Sequence, residues 1–216
     1  MALALVATLA YTAQGQKFKA IMITDAGTIT IQLFDGTPKH RDNFVKLSRH
    51  HFYDGLLFHR VIPGFMIQGG DPKSKDATAG QMLGEGDLGY QIPAEIKPAY
   101  FHQRGALAAA RDNNPEKASS ACQFYIVTGK KQTEADLQRA EQYSGKKIPE
   151  AQKKVYKEVG GTPQLDHNYT VFGQVISGMD AADIIVSTPR NRMDRPNMDM
   201  HIKKVKIRKK ILGLWL

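Results

Sequence analysis

The segment FHRVIPGFMIQGGD, residues 58–71, predicts two short apolar strands joined by a tight turn. Pro63 and Gly64 suit the two central positions of a β-turn, because proline presets the φ of the first and glycine tolerates a positive φ at the second. Alternation gives the first strand two faces, with Phe58, Arg60 and Ile62 on one and His59 and Val61 on the other. Arg60 thus shares a face with hydrophobic residues, so it must either be paired in a buried network or line a groove open to water.

Short strands of the same kind lie on both sides of this segment. Residues 28–34, TITIQLF, alternate apolar and polar side chains, and they follow a partner strand, Phe18 to Thr24, after the three-residue hairpin loop Asp25-Ala26-Gly27. Further strands are predicted at Leu57–Ile62, Phe65–Gln68, Ala106–Ala110, Gln123–Thr128, Thr170–Ile176 and Met200–Arg208. Many short strands with few helices favour a closed or nearly closed antiparallel β-barrel over repeated βαβ units.

Two isolated helices are predicted between the strands. Thr37-Pro38 supplies an N-cap and a first-turn proline for one helix, which ends at Tyr53-Asp54-Gly55. Ser177 and Asp180 form a capping-box pattern that begins the other helix, and Thr188-Pro189 ends it after Ser187.

Residues 131–163 depart from the strand pattern. They are rich in Glu, Gln, Lys and Ala, and Gly145 and Pro149 divide them into two short helical pieces. We therefore expect one domain at residues 16–208 with a helical insertion at about 131–163, followed by a C-terminal tail at 209–216.

The composition is that of a soluble globular protein, with 42% hydrophobic and 24% charged residues. Much of the net charge of +9 lies in Lys146–Lys157 and in the run from Lys203 to Lys210, and neither segment is interleaved with stacking aromatic residues. These runs indicate a solvated surface, and we expect no specific nucleic-acid partner. Nucleic-acid binding through the basic tail stays open as an alternative.

The N-terminus and the single cysteine are the features of the sequence that concern the cellular location of the protein. Residues 1–15, MALALVATLAYTAQG, combine an apolar run with the small residues Ala13 and Gly15, as in a signal peptide, but no basic residue precedes Lys17. The segment is interpreted as a possible signal peptide or a flexible tail, which favours the periplasm or another exported compartment, with the cytoplasm as the alternative. Its apolar run is too short for a membrane span, which needs about 20 residues. Cys122 is the only cysteine, so no intramolecular disulfide can form, and we expect it to be a buried small residue.

Several kinds of chemistry are not supported by motifs. Neither a phosphate-binding G-x-x-x-x-G-K-[ST] loop nor a G-x-S-x-G nucleophile motif occurs. The histidines His50, His51 and His59 lack the matching carboxylate or cysteine spacing of a metal site. We expect neither a metal nor a cofactor.

The segment 58–71 resembles the signature of the cyclophilins, and further blocks follow in the order that family has. These blocks are GALAAA at 105–110, SACQFYI at 120–126, Leu165-Asp166, and VFGQV at 171–175. The resemblance covers about residues 16–208. It implies a mainly β fold, a closed eight-stranded antiparallel β-barrel capped by two α-helices, with peptide bound in an outer groove.

The resemblance also implies a set of site residues. Arg60 takes the position of the family's catalytic arginine. The implied substrate-binding residues are Phe65, Met66, Gln68, Ala110, Gln123, Tyr125, Leu165 and Tyr169. Three positions depart from common family residues, with Tyr169 in place of histidine, Gln164 in place of tryptophan, and Arg111 in place of asparagine. We expect Gln164 to loosen the pocket rim and to weaken cyclosporin-like ligands.

The activity implied is that of a peptidyl-prolyl cis/trans isomerase, which rotates Xaa-Pro bonds and assists folding. Arg60 would stabilise the twisted transition state while an apolar pocket holds the proline ring. The partners implied are proline-containing polypeptides, and we expect a monomer. The alternative is a non-catalytic chaperone or scaffold that grips proline-containing segments without turnover.

Overall fold

The computed structural model describes residues 17–215, and strands make up most of its regular structure. The strands are Phe18–Thr24 (β1), Gly27–Leu33 (β2), Phe58–Ile62 (β3), Met66–Gly69 (β4), Gln91–Ile92 (β5), Ala106–Ala109 (β6), Ser119–Ser120 (β7), Phe124–Val127 (β8), Val171–Ser177 (β9), Ile202–Ile211 (β10) and Leu214–Trp215 (β11). The helices are Pro38–Arg49 (α1), Glu134–Ser144 (α2), Glu150–Glu158 (α3) and Met179–Ser187 (α4). The possible signal peptide at 1–15 lies outside the described residues.

The prediction of a closed eight-stranded barrel is wrong. Nine strands form one antiparallel sheet in the order β11-β10-β1-β2-β9-β6-β8-β4-β3, and β5 pairs with β7 in a separate two-stranded sheet. On its outer side β3 forms no strand pair with the chain before β10. Leu57 and His201 form an isolated bridge, and the N–H groups of Phe58 and Val61 donate to the carbonyls of Met200 and Asp194, both at 2.8 Å. The segment that supplies these acceptors is irregular and contains Pro189 and Pro196, which lack the N–H groups that a continuous ladder needs.

Two local predictions are also corrected. Thr24 pairs directly with Gly27, so the β1–β2 loop has two residues rather than three. Ser177 belongs to β9 and does not cap α4; the N-cap is Gly178, which makes no side-chain hydrogen bond. Gly178 has a φ of +86°, and a Cβ there would collide with the carbonyl oxygen of Thr28, so glycine suits this tight turn.

The main core lies against one face of the sheet. Val61, Ile67, Ile126 and Leu107 are consecutive partners across β3, β4, β8 and β6, and all belong to this core. Helices α1 and α4 contribute Phe44 and Ile185 to the same cluster. Because paired residues point to the same side of a sheet, the neighbouring partners on these strands face the opposite side.

The segment expected to be helical contains α2 and α3. Thr133 and Asp136 form a capping box at the start of α2, and Gly145 ends that helix with a left-handed conformation. The two helices have a small core of their own, made of Phe101, Leu137, Ala140, Ile148, Val155 and Tyr156. No helix within residues 17–215 has the length and apolar character that crossing a membrane requires.

Candidate active site

The predicted catalytic arginine lies in a row of residues that crosses three strands. Arg60 on β3 pairs with Gln68 on β4, and Gln68 pairs with Tyr125 on β8. All three side chains therefore project from the face of the sheet opposite the main core. The Pro63-Gly64 turn joins β3 to β4, with Gly64 at a φ of +71° and the Phe65 N–H donating to the Ile62 carbonyl at 3.0 Å. The turn thus forms as the sequence predicts, and it brings Arg60 and Gln68 side by side.

One detail of the predicted alternation is wrong. The pairing of β3 with β4 shifts register between Phe58 and Arg60, so Phe58 lies in the main core instead of sharing a face with Arg60. His59 at the irregularity is 3% exposed. Burial lowers the pKa of His59 from 6.5 to about 4, so the ring is neutral at physiological pH.

A solvent-open cavity of about 200 Å³ lies over this row. Its lining includes eight of the predicted site residues, Arg60, Phe65, Met66, Gln68, Ala110, Tyr125, Leu165 and Tyr169, together with Arg111. The ninth, Gln123, lines a neighbouring cavity and contacts this one through Gln68. A small cavity lined by six apolar or aromatic side chains, with two arginines and a glutamine beside them, suits a compact ring-shaped ligand.

The guanidinium of Arg60 is held at the edge of this cavity without being sealed in the core. Its side chain is 42% exposed, Nη1 donates to Gln68 Oε1 at 3.5 Å, and Nε lies 3.9 Å from Asp194 Oδ2. Five N–H donors belong to a guanidinium, so donors stay available to a ligand. Arg60 is therefore positioned for binding and has no buried structural role.

A chain of amides fixes the orientation of Gln68. Its Nε2 donates to Gln123 Oε1 at 3.0 Å, and Gln123 Nε2 donates to the carbonyls of Gly84 and Gly86, both at 2.8 Å. Since each amide oxygen accepts and each amide nitrogen donates, Oε1 of Gln68 is the atom turned toward Arg60. The arginine and the two glutamines form one preorganised edge of the cavity.

The floor of the cavity is tied to the helical insertion by a buried polar chain that sequence reasoning missed. Tyr125 Oη lies 3.0 Å from His102 Nε2, His102 Nδ1 lies 2.8 Å from Asp166 Oδ1, and Tyr156 Oη on α3 donates to Asp166 Oδ2 at 2.6 Å. A carboxylate only accepts, so Nδ1 of His102 carries the proton. Burial raises the pKa of Tyr125 well above 10, so its phenol stays neutral.

Two of the three residues that differ from the family pattern, Tyr169 and Gln164, also line cavities. Tyr169 stands nearly perpendicular to Tyr125, with ring centroids 5.8 Å apart, and forms a wall of the cavity. Gln164 is exposed and lines an adjacent cavity of about 430 Å³ rather than the one beside Arg60.

Two other predictions concern reactive or metal-binding groups. Cys122 is buried, at 2% exposure, as expected, and burial raises the pKa of its thiol to about 11. Within the part of the chain that the structure describes, no three His, Cys, Asp or Glu side chains come together as a metal site.

Comparison with known proteins identifies one family. Residues 19–207 match the family model described as cyclophilin type peptidyl-prolyl cis-trans isomerase/CLD. A Staphylococcus saprophyticus protein, provisionally named a peptidyl-prolyl cis-trans isomerase, is 38% identical over 194 residues, which cover 89% of this chain and 93% of the relative. A Staphylococcus epidermidis protein with the same name is 37% identical over 195 residues, 90% of this chain and 93% of that protein.

A solved structure has a similar fold. The crystal structure of a Cryptosporidium parvum cyclophilin type peptidyl-prolyl cis-trans isomerase has a TM-score of 0.65 and 26% identity, covering 88% of this chain and 97% of that one. A second structure of the Cryptosporidium protein, determined in the presence of the dipeptide Ala-Pro, has a TM-score of 0.63 and 25% identity, covering 88% of this chain and 98% of that one.

Proposed function

Because this chain belongs to the cyclophilin-type peptidyl-prolyl cis-trans isomerase family, we propose that it rotates Xaa-Pro bonds in polypeptides, with Arg60 stabilising the twisted amide. The observation that carries the proposal is the shared cavity, in which the Arg60 guanidinium faces the same space as Phe65, Met66 and Tyr125. The Ala-Pro dipeptide used with the Cryptosporidium protein is consistent with a proline-containing substrate.

The proposed chemistry follows from the electronic structure of the peptide bond. Resonance gives the C–N bond partial double-bond character and a rotation barrier of about 18–20 kcal/mol. Before proline the two isomers are close in energy, so a catalyst has only a kinetic barrier to lower. In the twisted transition state resonance is lost, and the proline nitrogen gains an available lone pair.

Arg60 can favour that transition state selectively. A guanidinium N–H can donate to the pyramidal nitrogen, while the planar ground state scarcely accepts a hydrogen bond at the same atom. The contacts with Gln68 and Asp194 restrict the guanidinium before substrate arrives. Preorganised donors of this kind contribute about 3–4 kcal/mol, or a factor of hundreds in rate.

The remaining cavity residues hold the ring while the preceding carbonyl swings. Met66 and Tyr125 are 2% and 5% exposed and form the floor, and Phe65, Leu165 and Tyr169 are partly exposed at the walls. An apolar ring buried here is anchored without any polar contact that would resist rotation of the bond. The step needs neither a covalent intermediate nor a proton transfer.

A proline-peptide isomerisation assay on matched variants tests the proposal. Arg60→Ala should lower kcat/KM at least about a hundredfold with an unchanged circular dichroism spectrum, because one preorganised donor is lost. Arg60→Lys should be intermediate, since it keeps the charge but not the planar fork. Arg208→Ala on the exposed side of β10 is the control for loss of a positive charge and should match the wild type.

The outcomes separate catalysis from binding alone. Near-normal turnover by Arg60→Ala would refute the role given to that residue. Binding of proline peptides by the wild type without faster isomerisation would instead identify the non-catalytic chaperone or scaffold.

A further inference from the structure

The cavity beside Arg60 continues into a cavity on each side. A cavity of about 730 Å³ shares Gln68, Ala110 and Arg111 with it, and the cavity of about 430 Å³ shares Arg111, Leu165 and Tyr169. Together they form one groove, and a peptide whose proline lies in the centre can extend into both flanking cavities. Arg111 lines all three and therefore borders the substrate on either side of the proline.

The side chain of Arg111 is held in a fixed position. Nε donates to the Asn168 carbonyl at 2.8 Å, and Nη1 donates to the Asp112 carbonyl at 2.8 Å. The guanidinium carbon lies 4.9 Å from the centroid of the Tyr169 ring. These contacts restrict the guanidinium before a ligand arrives, which reduces the entropic cost of binding.

The charge of Arg111 is not neutralised by these contacts. Its acceptors are backbone carbonyls, and within residues 17–215 it forms no salt bridge and Nη2 donates to no protein group. A half-buried arginine that has a free donor edge and no carboxylate partner is a ready binding group for an anion.

The two flanking cavities differ sharply in charge. The larger one is lined by three carboxylates, those of Glu85, Asp87 and Asp112. The lining of the 430 Å³ cavity has no carboxylate and consists of Arg111, Asn113, Tyr143, Gln164, Leu165, Asn168 and Tyr169. Asn168, which lines this cavity, accepts at Oδ1 from Lys117 Nζ at 2.9 Å, so a second positive charge lies next to the cavity lining.

The helical insertion supplies one wall of the 430 Å³ cavity. Tyr143 near the end of α2 is 79% exposed and lines this cavity together with Arg111. An exposed aromatic ring beside an unneutralised cation offers contact area for the methylene groups of a long acidic side chain.

We propose that the 430 Å³ cavity is a subsite for an Asp or Glu side chain of the substrate, with Arg111 as the specificity-determining residue and Tyr143 as its packing partner. This inference rests on the proposed isomerase function and specifies the substrate class of the same groove. The enzyme therefore acts preferentially on proline segments that have an acidic residue on the side of the proline that enters this cavity.

Peptide isomerisation measured by NMR exchange tests the subsite without the sequence bias of a coupling protease. Glu, Gln or Lys is placed two residues before or two residues after the proline in otherwise identical peptides. At one of the two positions Glu should exceed Gln by about threefold to fivefold in kcat/KM at low ionic strength, as expected for a partly exposed ion pair. Lys should rank below Gln there, and 0.5 M NaCl should reduce the ratio of Glu to Gln, because added salt screens the pair.

Variants assign the preference to particular side chains. Arg111→Gln should bring the ratio of Glu to Gln to about one, and Arg111→Lys should keep it above one because the charge is retained. Tyr143→Ala should raise KM for the Glu peptide with little change in kcat. Arg139→Gln is the matched control, because Arg139 lies on the same helix, is 72% exposed and pairs with Asp136 away from the groove.

The possible failures are distinguishable. Equal kcat/KM for Glu and Gln peptides at both positions, preference for Lys at the favoured position, or an unchanged ratio in Arg111→Gln would overturn the subsite and leave the isomerase proposal standing. Failure of the wild type to accelerate isomerisation of any peptide would overturn the proposed function itself.

Discussion

Tyr156→Phe tests whether the helical insertion stabilises the floor of the cavity beside Arg60. Tyr156 is fully buried, and its hydroxyl donates to Asp166 Oδ2 at 2.6 Å. Deleting that hydroxyl leaves a carboxylate oxygen of Asp166, a residue only 7% exposed, without its donor. Hydrogen bonds to charged groups contribute about 1.5–3 kcal/mol, so the free energy of unfolding should fall by about 2 kcal/mol.

The effect is measurable by thermal and urea denaturation. For a chain of this size a loss of 1 kcal/mol in the free energy of unfolding lowers Tm by about 2–4 °C, so the loss of about 2 kcal/mol should lower Tm by about 6 °C. Tyr90→Phe is the matched control, because it removes a hydroxyl that donates to the neutral Asn43 Oδ1 at an exposed site. That control should change stability by less than about 0.5 kcal/mol.

A double-mutant cycle with Tyr125→Phe tests whether the polar chain transmits the change to the cavity. His102 and Asp166 join the Tyr125 and Tyr156 hydroxyls. If the chain acts as a unit, the two changes should be non-additive by at least about 0.5 kcal/mol, and Tyr156→Phe should also raise KM for proline peptides. If the two changes in the free energy of unfolding are additive and KM is unchanged, the insertion and the cavity are not coupled.

Two further predictions concern buried titratable groups. Burial lowers the pKa of His59 from 6.5 to about 4, so below pH 6.5 the unfolded chain binds a proton that the folded chain does not. The free energy of unfolding should therefore decrease as pH falls from 6.5 to about 4, and His59→Leu should flatten that part of a urea-denaturation pH series; an unchanged slope would assign it to other groups. Burial also raises the pKa of Cys122 to about 11, so iodoacetamide should modify the native chain at pH 8 at least about tenfold more slowly than the urea-unfolded chain. Equal rates would show that the thiol is accessible in the native protein.

The strands were predictable because each has a local signal. The alternation of residues 28–34 and the Pro63-Gly64 turn depend on neighbouring residues only, and the structure has β2 and the β3–β4 turn there. Sheet closure depends on contacts between distant segments. The prolines at 189 and 196 indicate that the chain before β10 is irregular, yet no local pattern says that this segment lies beside β3.

In the candidate site, too, the residue types were predictable from the sequence and their spatial arrangement was not. The residue types around Arg60 were identified by family resemblance, but their arrangement in one row depends on the register of β3, β4 and β8. Register is a property of strand pairs, and the irregularity at His59 changes which residues share a face without any glycine or proline to signal it. The three cavities that meet at Arg111 likewise involve loops far apart in sequence.

The polar chain beneath the cavity links the insertion to the candidate site. Tyr125 is 5% exposed, so its hydroxyl requires a buried partner, which His102 provides. His102 is then oriented by Asp166, and a buried carboxylate in turn requires donors on both oxygens. The backbone and ring N–H groups of His102 satisfy Oδ1, and Tyr156 from α3 satisfies Oδ2. A tyrosine at the cavity floor is therefore compatible with this fold because the insertion completes the chain of hydrogen bonds that the tyrosine hydroxyl begins.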